Sequence, residues 1–163
     1  MDLLHVGRAV ATCCTGVASG VYIGYRMTIP PARPQLTPGA FVGLLQSVHQ
    51  RAASTLPPLL FGALLATATW AAILARRGAH GAWLVALAGA GIAGTIGVTY
   101  VIHLPLGQEL QTWRRDTPPA DLDARWAPWE RWHRVCAWLL FLAFVLQVIV
   151  LAGSGNAWHL RLD

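Results

Sequence analysis

The chain has 163 residues, of which 55% are hydrophobic and only 12% are charged. This composition is too apolar for an ordinary soluble domain, and it predicts one integral membrane domain over residues 1–163. The formal net charge is +5, and every basic residue is arginine. Arginines beside aromatic residues at membrane edges explain this charge, so we expect no nucleic-acid partner.

Four stretches without a charged residue predict four spanning helices. They cover residues 9–25, 52–75, 81–102 and 135–152, and each is close to the roughly 17 to 25 residues that cross a bilayer. The first is interpreted as a span rather than a cleaved signal peptide, because no small-x-small site lies near its end. We therefore predict an all-α, multi-pass four-helix bundle in the lipid bilayer of the cell membrane, with spans at about 8–26, 53–76, 81–103 and 131–152.

Prolines and a capping residue predict the first connection. The segment RMTIPPARPQL, residues 26–36, contains Pro30, Pro31 and Pro34, and it is expected to end the first helix and form an extended connector. Thr37 followed by Pro38 is typical of a helix start. Pro57-Pro58 is expected to bend the second helix without ending it. At about 1.5 Å per residue, a helix from 38 to 75 would measure about 57 Å, longer than a bilayer core of about 30 Å, so part of it should protrude or cover a pocket.

The second half predicts a close-packed helix and then a polar loop. The stretch ALAGAGIAGTIG in the third helix has small residues that allow close approach, either within the bundle or to a second copy in a homo-oligomer. The following segment 104–132 is polar and long. We expect it to form a functional loop between the third and fourth helices.

Antiparallel topology predicts that three histidines meet. His49 near the amino end of helix two, His103 at the carboxyl end of helix three and His133 at the amino end of helix four share one membrane side. Counting helical rises from the opposite face gives them similar heights. The other three histidines of the chain, His5, His80 and His159, are expected on the opposite side of the membrane. Ionisable groups at this depth are costly and suggest a functional site.

The residue types allow two chemistries at this site. Glu130 and His133 are one helical turn apart, which can present a carboxylate and an imidazole to one metal. With His49 and His103, they form a ligand set suited to copper or mononuclear iron. Without a metal, the same histidines would be bases in catalysis. A purely structural reading also stays open, in which the histidines cap helix ends or lie at the interface.

Tryptophans and arginines near these histidines suggest a ligand. Trp113 and Trp126, with Arg131 and Arg134, could hold a flat aromatic, anionic small molecule. The alternative for the tryptophans of this region is an aromatic belt at the membrane interface.

Three segments resemble the anthrone oxygenase-like family of small four-helix membrane proteins. They are HQRAASTLPPLL in the second helix, HLPLGQELQTW after the third, and RWAPWERWHRVCAW before the fourth. The second segment matches the family at Pro105, Leu110 and Trp113, and the third matches at Trp126 and His133. The chain departs from the family at three positions: His103 and Gly107 stand where the family usually has Asn, and Cys136 stands where it usually has Arg.

The resemblance implies a membrane-bound oxygenase that uses O₂ on a polycyclic aromatic, anthrone-like substrate of polyketide biosynthesis. It leaves open whether His49, His103 and His133 are bases or metal ligands. Two other classes of function remain as alternatives. One is a non-catalytic redox membrane protein that binds haem or copper through histidines on facing helices. The other is a structural membrane subunit.

Overall fold

The computed structural model describes residues 3–155, and this part of the chain is all-helical. A short 3₁₀ helix, Arg33–Gln35, follows the first helix. A π-helical turn, Thr99–His103, joins the third and fourth helices. The five α-helices are α1 (Leu3–Ala32), α2 (Pro38–Arg76), α3 (Ala82–Val98), α4 (Leu104–Thr112) and α5 (Leu122–Gly155).

The bundle consists of four continuous helical segments, because α3, the π turn and α4 together form one of them, Ala82–Thr112. Each segment is long and apolar enough to cross a membrane. Helix α1 packs on α2 and α5, and α3 packs on the same two helices. The predicted all-α membrane bundle with a long second helix is therefore confirmed.

Helix α2 begins where the sequence predicts. The Thr37 hydroxyl accepts a hydrogen bond from the Ala40 amide at 3.3 Å, and Pro38 occupies the first turn. The helix continues through Pro57 and Pro58 to Arg76. A double proline inside an apolar helix is tolerated where neighbouring helices pack around it.

The first prediction that the structure corrects concerns the end of α1. This helix continues through Pro30 and Pro31 and ends only at Ala32. Ile29 packs against the cluster of buried side chains that includes Phe41 and Leu45 of α2. Tertiary packing therefore keeps this part helical despite the two missing amide donors.

The second correction concerns the polar segment. Residues 104–112 are helical, the chain is helical again from Leu122, and only 113–121 connect the two helices. Leu110 of α4, and Leu122 and Trp126 of α5, are buried against the amino-terminal third of α2. Their burial explains why most of the expected loop is helix. Within the connection, the Arg114 guanidinium holds the pKa of the Asp116 carboxyl below its usual range.

The π turn has a local cause in the sequence. Pro105 has no amide hydrogen, so the carbonyl one α-turn before it loses its normal donor. A wider turn is one way for a helix to pass such a point, and π turns are frequent at functional sites. Here the turn includes His103, which is buried.

A buried polar contact joins three helices in the middle of the bundle. The Gln147 amide of α5 donates to the hydroxyls of Thr15 at 3.2 Å and Thr67 at 2.9 Å. Both hydroxyls also donate to carbonyls of their own helices, whereas the Gln147 Oε1 atom has no hydrogen-bond partner.

Replacing Gln147 with leucine is therefore expected to change the free energy of unfolding by less than about 1 kcal/mol, because interhelical hydrogen bonds in membranes average about 0.6 kcal/mol. The threonine hydroxyls keep their own partners, and the unpartnered oxygen is removed. Gln147→Ala, which leaves a cavity, should cost about 2 kcal/mol or more. Denaturant unfolding in mixed micelles measures both. Equal losses for the two variants would contradict this account.

Candidate functional site

One cavity lies between α1, α2, α5 and the π turn. Its volume is about 330 Å³, within the usual range for small-molecule sites of about 300 to 1,000 Å³. All three histidines predicted to converge line it. Aromatic and aliphatic side chains form most of the remaining wall, notably those of Tyr22, Tyr25, Leu45, Leu56, Trp126 and Trp129.

His103 lies in the π turn and reaches this cavity from the end of α3. Its side chain is almost fully enclosed, with 6% of the residue exposed. Its Nε2 atom has no hydrogen-bond partner among the described residues 3–155. A buried ring nitrogen without a partner is costly. The atom has almost no accessible surface in this structure, so a bound molecule could satisfy it only after the surrounding side chains shift.

His133 is held by stacking on both of its neighbours in the wall. Its ring lies 4.6 Å from the Tyr22 ring and 4.5 Å from the Trp129 ring, nearly parallel to both. Its Nε2 atom is 3.2 Å from the Tyr22 carbonyl oxygen. Because a carbonyl only accepts, Nε2 carries the hydrogen, and the neutral ring keeps its lone pair on Nδ1. The ring is thus fixed in both orientation and tautomer.

His49 approaches from α2 and packs on the backbone of α4. A Cβ atom at Gly107 would overlap the His49 ring, so only glycine allows this contact. One turn earlier, the Gln46 amide donates to the carbonyls of Leu110 and Trp113 at 3.1 and 2.9 Å. Helix α2 therefore binds the carboxyl end of α4 and carries His49 to the cavity.

We expect Gly107→Ala to destabilise the protein by about 1 to 3 kcal/mol, because it adds a methyl group to a filled space. The cost should shrink in a His49→Ala background, where the ring that the methyl would meet is gone. A double-mutant cycle of unfolding free energies measures this coupling. Gly97→Ala is the matched control, since a Cβ at Gly97 meets nothing within 4 Å. Additive effects at Gly107 and His49 would contradict the contact.

Unpartnered polar atoms cluster around the cavity. Within residues 3–155, five buried side-chain nitrogen or oxygen atoms have no hydrogen bond of standard geometry, and four of them belong to cavity residues. These four are Tyr25 Oη, His103 Nε2, Trp126 Nε1 and Trp129 Nε1. Three carry a hydrogen to donate, and the fourth is a ring nitrogen. The wall is therefore aromatic in shape and polar at a few points.

Two tyrosines of α1 also line the cavity and were not predicted as site residues. Tyr22 stacks on His133, and Tyr25 lies 4.4 Å from the His133 ring and 4.7 Å from the Trp129 ring. A signal was present, because Tyr22 and Tyr25 are one turn apart at the end of the first uncharged stretch. That end lies on the membrane side predicted for the histidines.

Four other predicted site residues lie outside the cavity wall. Trp113 packs against the buried cluster around Phe41. Arg131 is exposed, and Arg134 lines a separate groove between α1 and α5. Glu130 is half-buried and interacts electrostatically with Tyr25. On α5, residues 126, 129 and 133 line the cavity, Glu130 lies at the edge of the same face without lining it, and residues 131 and 134 point to other sides of the helix.

The geometry offers less to a metal than the sequence suggests. The rings of His103 and His133 have centroids 5.9 Å apart, and His49 is engaged with the backbone at Gly107. Across the described part of the chain, no group of three or more His, Cys, Asp or Glu side chains is placed to hold a metal ion.

Comparison with known proteins gives one finding. The sequence model of a family described as anthrone oxygenase matches residues 45–146. This range includes all three cavity histidines and both cavity tryptophans, but not α1. No curated protein and no solved structure matches the chain.

Proposed function

The chain belongs to the anthrone oxygenase family, and from this premise we propose that it is a membrane-bound oxidoreductase that uses O₂ to oxidise a polycyclic aromatic, anthrone-like substrate. The family membership supports an oxygenase. The choice of substrate class and of the histidine site is our own proposal, and it rests on the cavity.

One observation carries the proposal: within residues 3–155, four of the five buried side-chain polar atoms without a partner belong to residues that line one aromatic cavity. A hydroxylated tricyclic aromatic has flat rings to stack on Trp126 and Trp129 and oxygens to accept from their indole N–H groups. Because these atoms have almost no accessible surface in the structure, a small shift of the surrounding side chains would be needed for the ligand to reach them and satisfy them. A purely structural membrane subunit would gain nothing from such a cavity.

In this proposal His103 is the base. The methylene group of an anthrone is acidic, because its carbanion delocalises into the ring carbonyl as an oxyanion. Neutral His103 takes one of these protons at Nε2. The indole N–H groups of Trp126 and Trp129 and the Tyr25 hydroxyl stabilise the oxyanion that forms. These donors take the role that the sequence analysis gave to Arg131 and Arg134.

Oxygen then reacts with the carbanion. The electron pair of the carbanion forms the new C–O bond, and O₂ is reduced to a peroxide anion bound to the substrate. Protonated His103 then returns its proton to this anion, which gives a substrate hydroperoxide. Loss of the second methylene proton to the base, with cleavage of the O–O bond, gives a carbonyl and releases water. One oxygen atom thus enters the product and the other leaves as water. The balance needs no other reductant, and the anthrone itself is oxidised to an anthraquinone.

A metal-dependent version is a second proposal at the same site. Copper or mononuclear iron would take His103 and His133 as ligands, with His49 and Glu130 turned toward them, and would supply activation of O₂. The Nε2 atom of His103, which has no partner among residues 3–155, favours it, whereas the packing of His49 against Gly107 and the position of Glu130 outside the cavity wall do not. We therefore prefer the base.

Oxygen uptake by the purified full-length protein in detergent, with an unsubstituted anthrone as probe, tests the proposal. We expect one O₂ consumed for each anthrone converted, with the quinone absorbance rising in step. Elemental analysis of the same sample separates the two versions: a stoichiometric metal that is lost in His103→Ala supports ligation, and activity in metal-free protein supports the base. No oxygen uptake above the uncatalysed rate overturns the oxygenase, and a Soret band would indicate the haem alternative.

The proposal also includes the cellular location of the protein. The four spanning helices are compatible with a lipid bilayer, and we propose the cell membrane as their site. An apolar aromatic substrate would partition into that bilayer and reach the cavity from it. Fractionation of cells into membrane and soluble protein, with antibody detection, tests this placement.

A further inference from the structure

A second concave surface lies on the outside of the bundle. It is a groove of about 320 Å³ between α1 and α5, lined by Ile23, Arg26, Arg134, Ala137, Trp138 and Phe141. The seam between the two helices separates it from the cavity, because Tyr22, Tyr25 and His133 line the cavity on the other side. Nothing in the proposed oxidation uses this groove.

The groove has a charged end and an apolar end. Arg26 directly follows the uncharged stretch 9–25, and Arg134 directly precedes the uncharged stretch 135–152. Since α1 and α5 are antiparallel neighbours, both arginines lie where the apolar part of the membrane begins. Residues 134, 137, 138 and 141 follow one face of α5 over two turns, so the groove continues from the arginines into the apolar zone.

Neither arginine of the groove forms an ion pair with a carboxylate of residues 3–155. Within residues 3–155, ion pairs use Arg33, Arg114 and Arg125. Glu130 lies one turn before Arg134 but forms no ion pair with it. Arg26 is half-buried, so its charge is only partly hydrated. Two guanidinium groups at one end of a groove suit a phosphate, which each can bind through paired N–H groups.

The apolar end suits an acyl chain. Trp138 is 60% exposed and Phe141 is 37% exposed, and their rings meet edge to face at 5.8 Å. Ala137 is small and lies between the aromatic residues and α1, which leaves room along the seam. Trp138 and Phe141 thus form an aromatic surface beside the small Ala137, and this surface faces the membrane. A lipid acyl chain can pack against such a surface.

We propose that this groove binds one anionic phospholipid, with its phosphate between Arg26 and Arg134 and an acyl chain along Trp138 and Phe141. The charge of the groove favours an anionic lipid. The two arginines attract a phosphate, and the lining has no carboxylate that could bind the cationic choline or ethanolamine group of a zwitterionic lipid. A second copy of the chain would have to bring its own unpaired acid to the same depth. The described helices have no unpaired acid at that level other than the half-buried Glu130.

Native mass spectrometry of the full-length protein in neutral detergent tests this proposal. Dioleoyl phosphatidylglycerol, dioleoyl phosphatidylcholine and inorganic phosphate are each added at matched concentrations. We expect one retained phosphatidylglycerol, bound at least about tenfold more tightly than phosphatidylcholine, a difference of about 1.4 kcal/mol. The double variant Arg26→Gln/Arg134→Gln should lose this preference. Arg131→Gln, at an exposed arginine of the same helix end outside the groove, should keep it.

One more variant and the alternative outcomes complete the test. Ala137→Leu fills the groove floor without touching either charge, and it should lower retention of the lipid while circular dichroism shows an unchanged helix content. Equal retention of the two lipids overturns the proposal, as does retention in the double variant. Binding of inorganic phosphate that competes with the lipid would mean a phosphate site only, and a dimer that excludes the lipid would assign the groove to a second copy.

Discussion

Replacement of His103 with phenylalanine is expected to lower kcat for anthrone oxidation by about 100-fold or more, which is the usual contribution of a positioned base. Phenylalanine keeps a ring of similar size beside Trp129, whose ring lies 5.0 Å from that of His103. It removes the Nε2 atom that has no protein partner. Because that atom is costly when buried, the unfolding free energy should stay the same or rise. Steady-state oxygen uptake measures kcat, and denaturant unfolding measures stability.

The matched control for this variant is His80→Phe. His80 is exposed in the turn between α2 and α3, at the opposite end of the bundle, so its replacement should leave kcat unchanged. If His103→Phe retains full activity with a normal KM, His103 is not the base. If both variants lose activity equally, the loss comes from general damage rather than from a proton transfer.

Replacement of Trp129 with alanine is expected to have the largest effect on stability, about 3 kcal/mol or more. The Trp129 indole lies in the centre of the aromatic stack, 4.4 Å from the Trp126 ring, 4.5 Å from the His133 ring and 4.7 Å from the Tyr25 ring. Its removal leaves a void that helices held by their neighbours cannot close. The KM for the anthrone should also rise at least about tenfold, since a stacked aromatic pair with burial is worth more than 1 kcal/mol.

Trp132→Ala is the control, because it changes the same residue type one turn along the same helix. Trp132 is 38% exposed and lines neither the cavity nor the groove. Its loss should change the unfolding free energy by less than about 0.5 kcal/mol. Unfolding in mixed micelles and oxygen-uptake kinetics provide both readouts. Similar losses for the two variants would mean that the stack does not support the site.

Much of the fold follows from local sequence. Uncharged stretches identify the four spans because burying a charge in the bilayer is costly at every position. Thr37 and Pro38 locate the start of α2 because capping and proline effects act within one turn. The level of His49, His103 and His133 follows from the constant rise of a helix. These three features need no knowledge of packing.

The site is predicted only in part. The sequence brings the three histidines to one side of the membrane, and the structure gathers them at one cavity. Arg131 and Arg134, which the sequence suggested for ligand binding, lie outside the cavity wall. The sequence gives the order of residues along the chain, but it does not show which face of a helix other helices cover. The tyrosines of α1 were missed for the same reason, since their partner His133 is 111 positions away in the chain.

The sequence alone determined four properties: the membrane-spanning character of the helices, their number, the capped start of α2 and the side of the bundle on which the histidines meet. Each of these depends on residues within a few turns of one another. Only the tertiary structure decided that α1 passes Pro30 and Pro31, that α4 and α5 replace most of the polar loop, and that Trp126 and Trp129 are cavity wall. These depend on burial against α2, a contact energy that can exceed the local cost of a proline or the local preference for a loop. The division between cavity and groove was decided there as well, because the consecutive residues His133 and Arg134 of α5 point to different sides of the helix and line different surfaces.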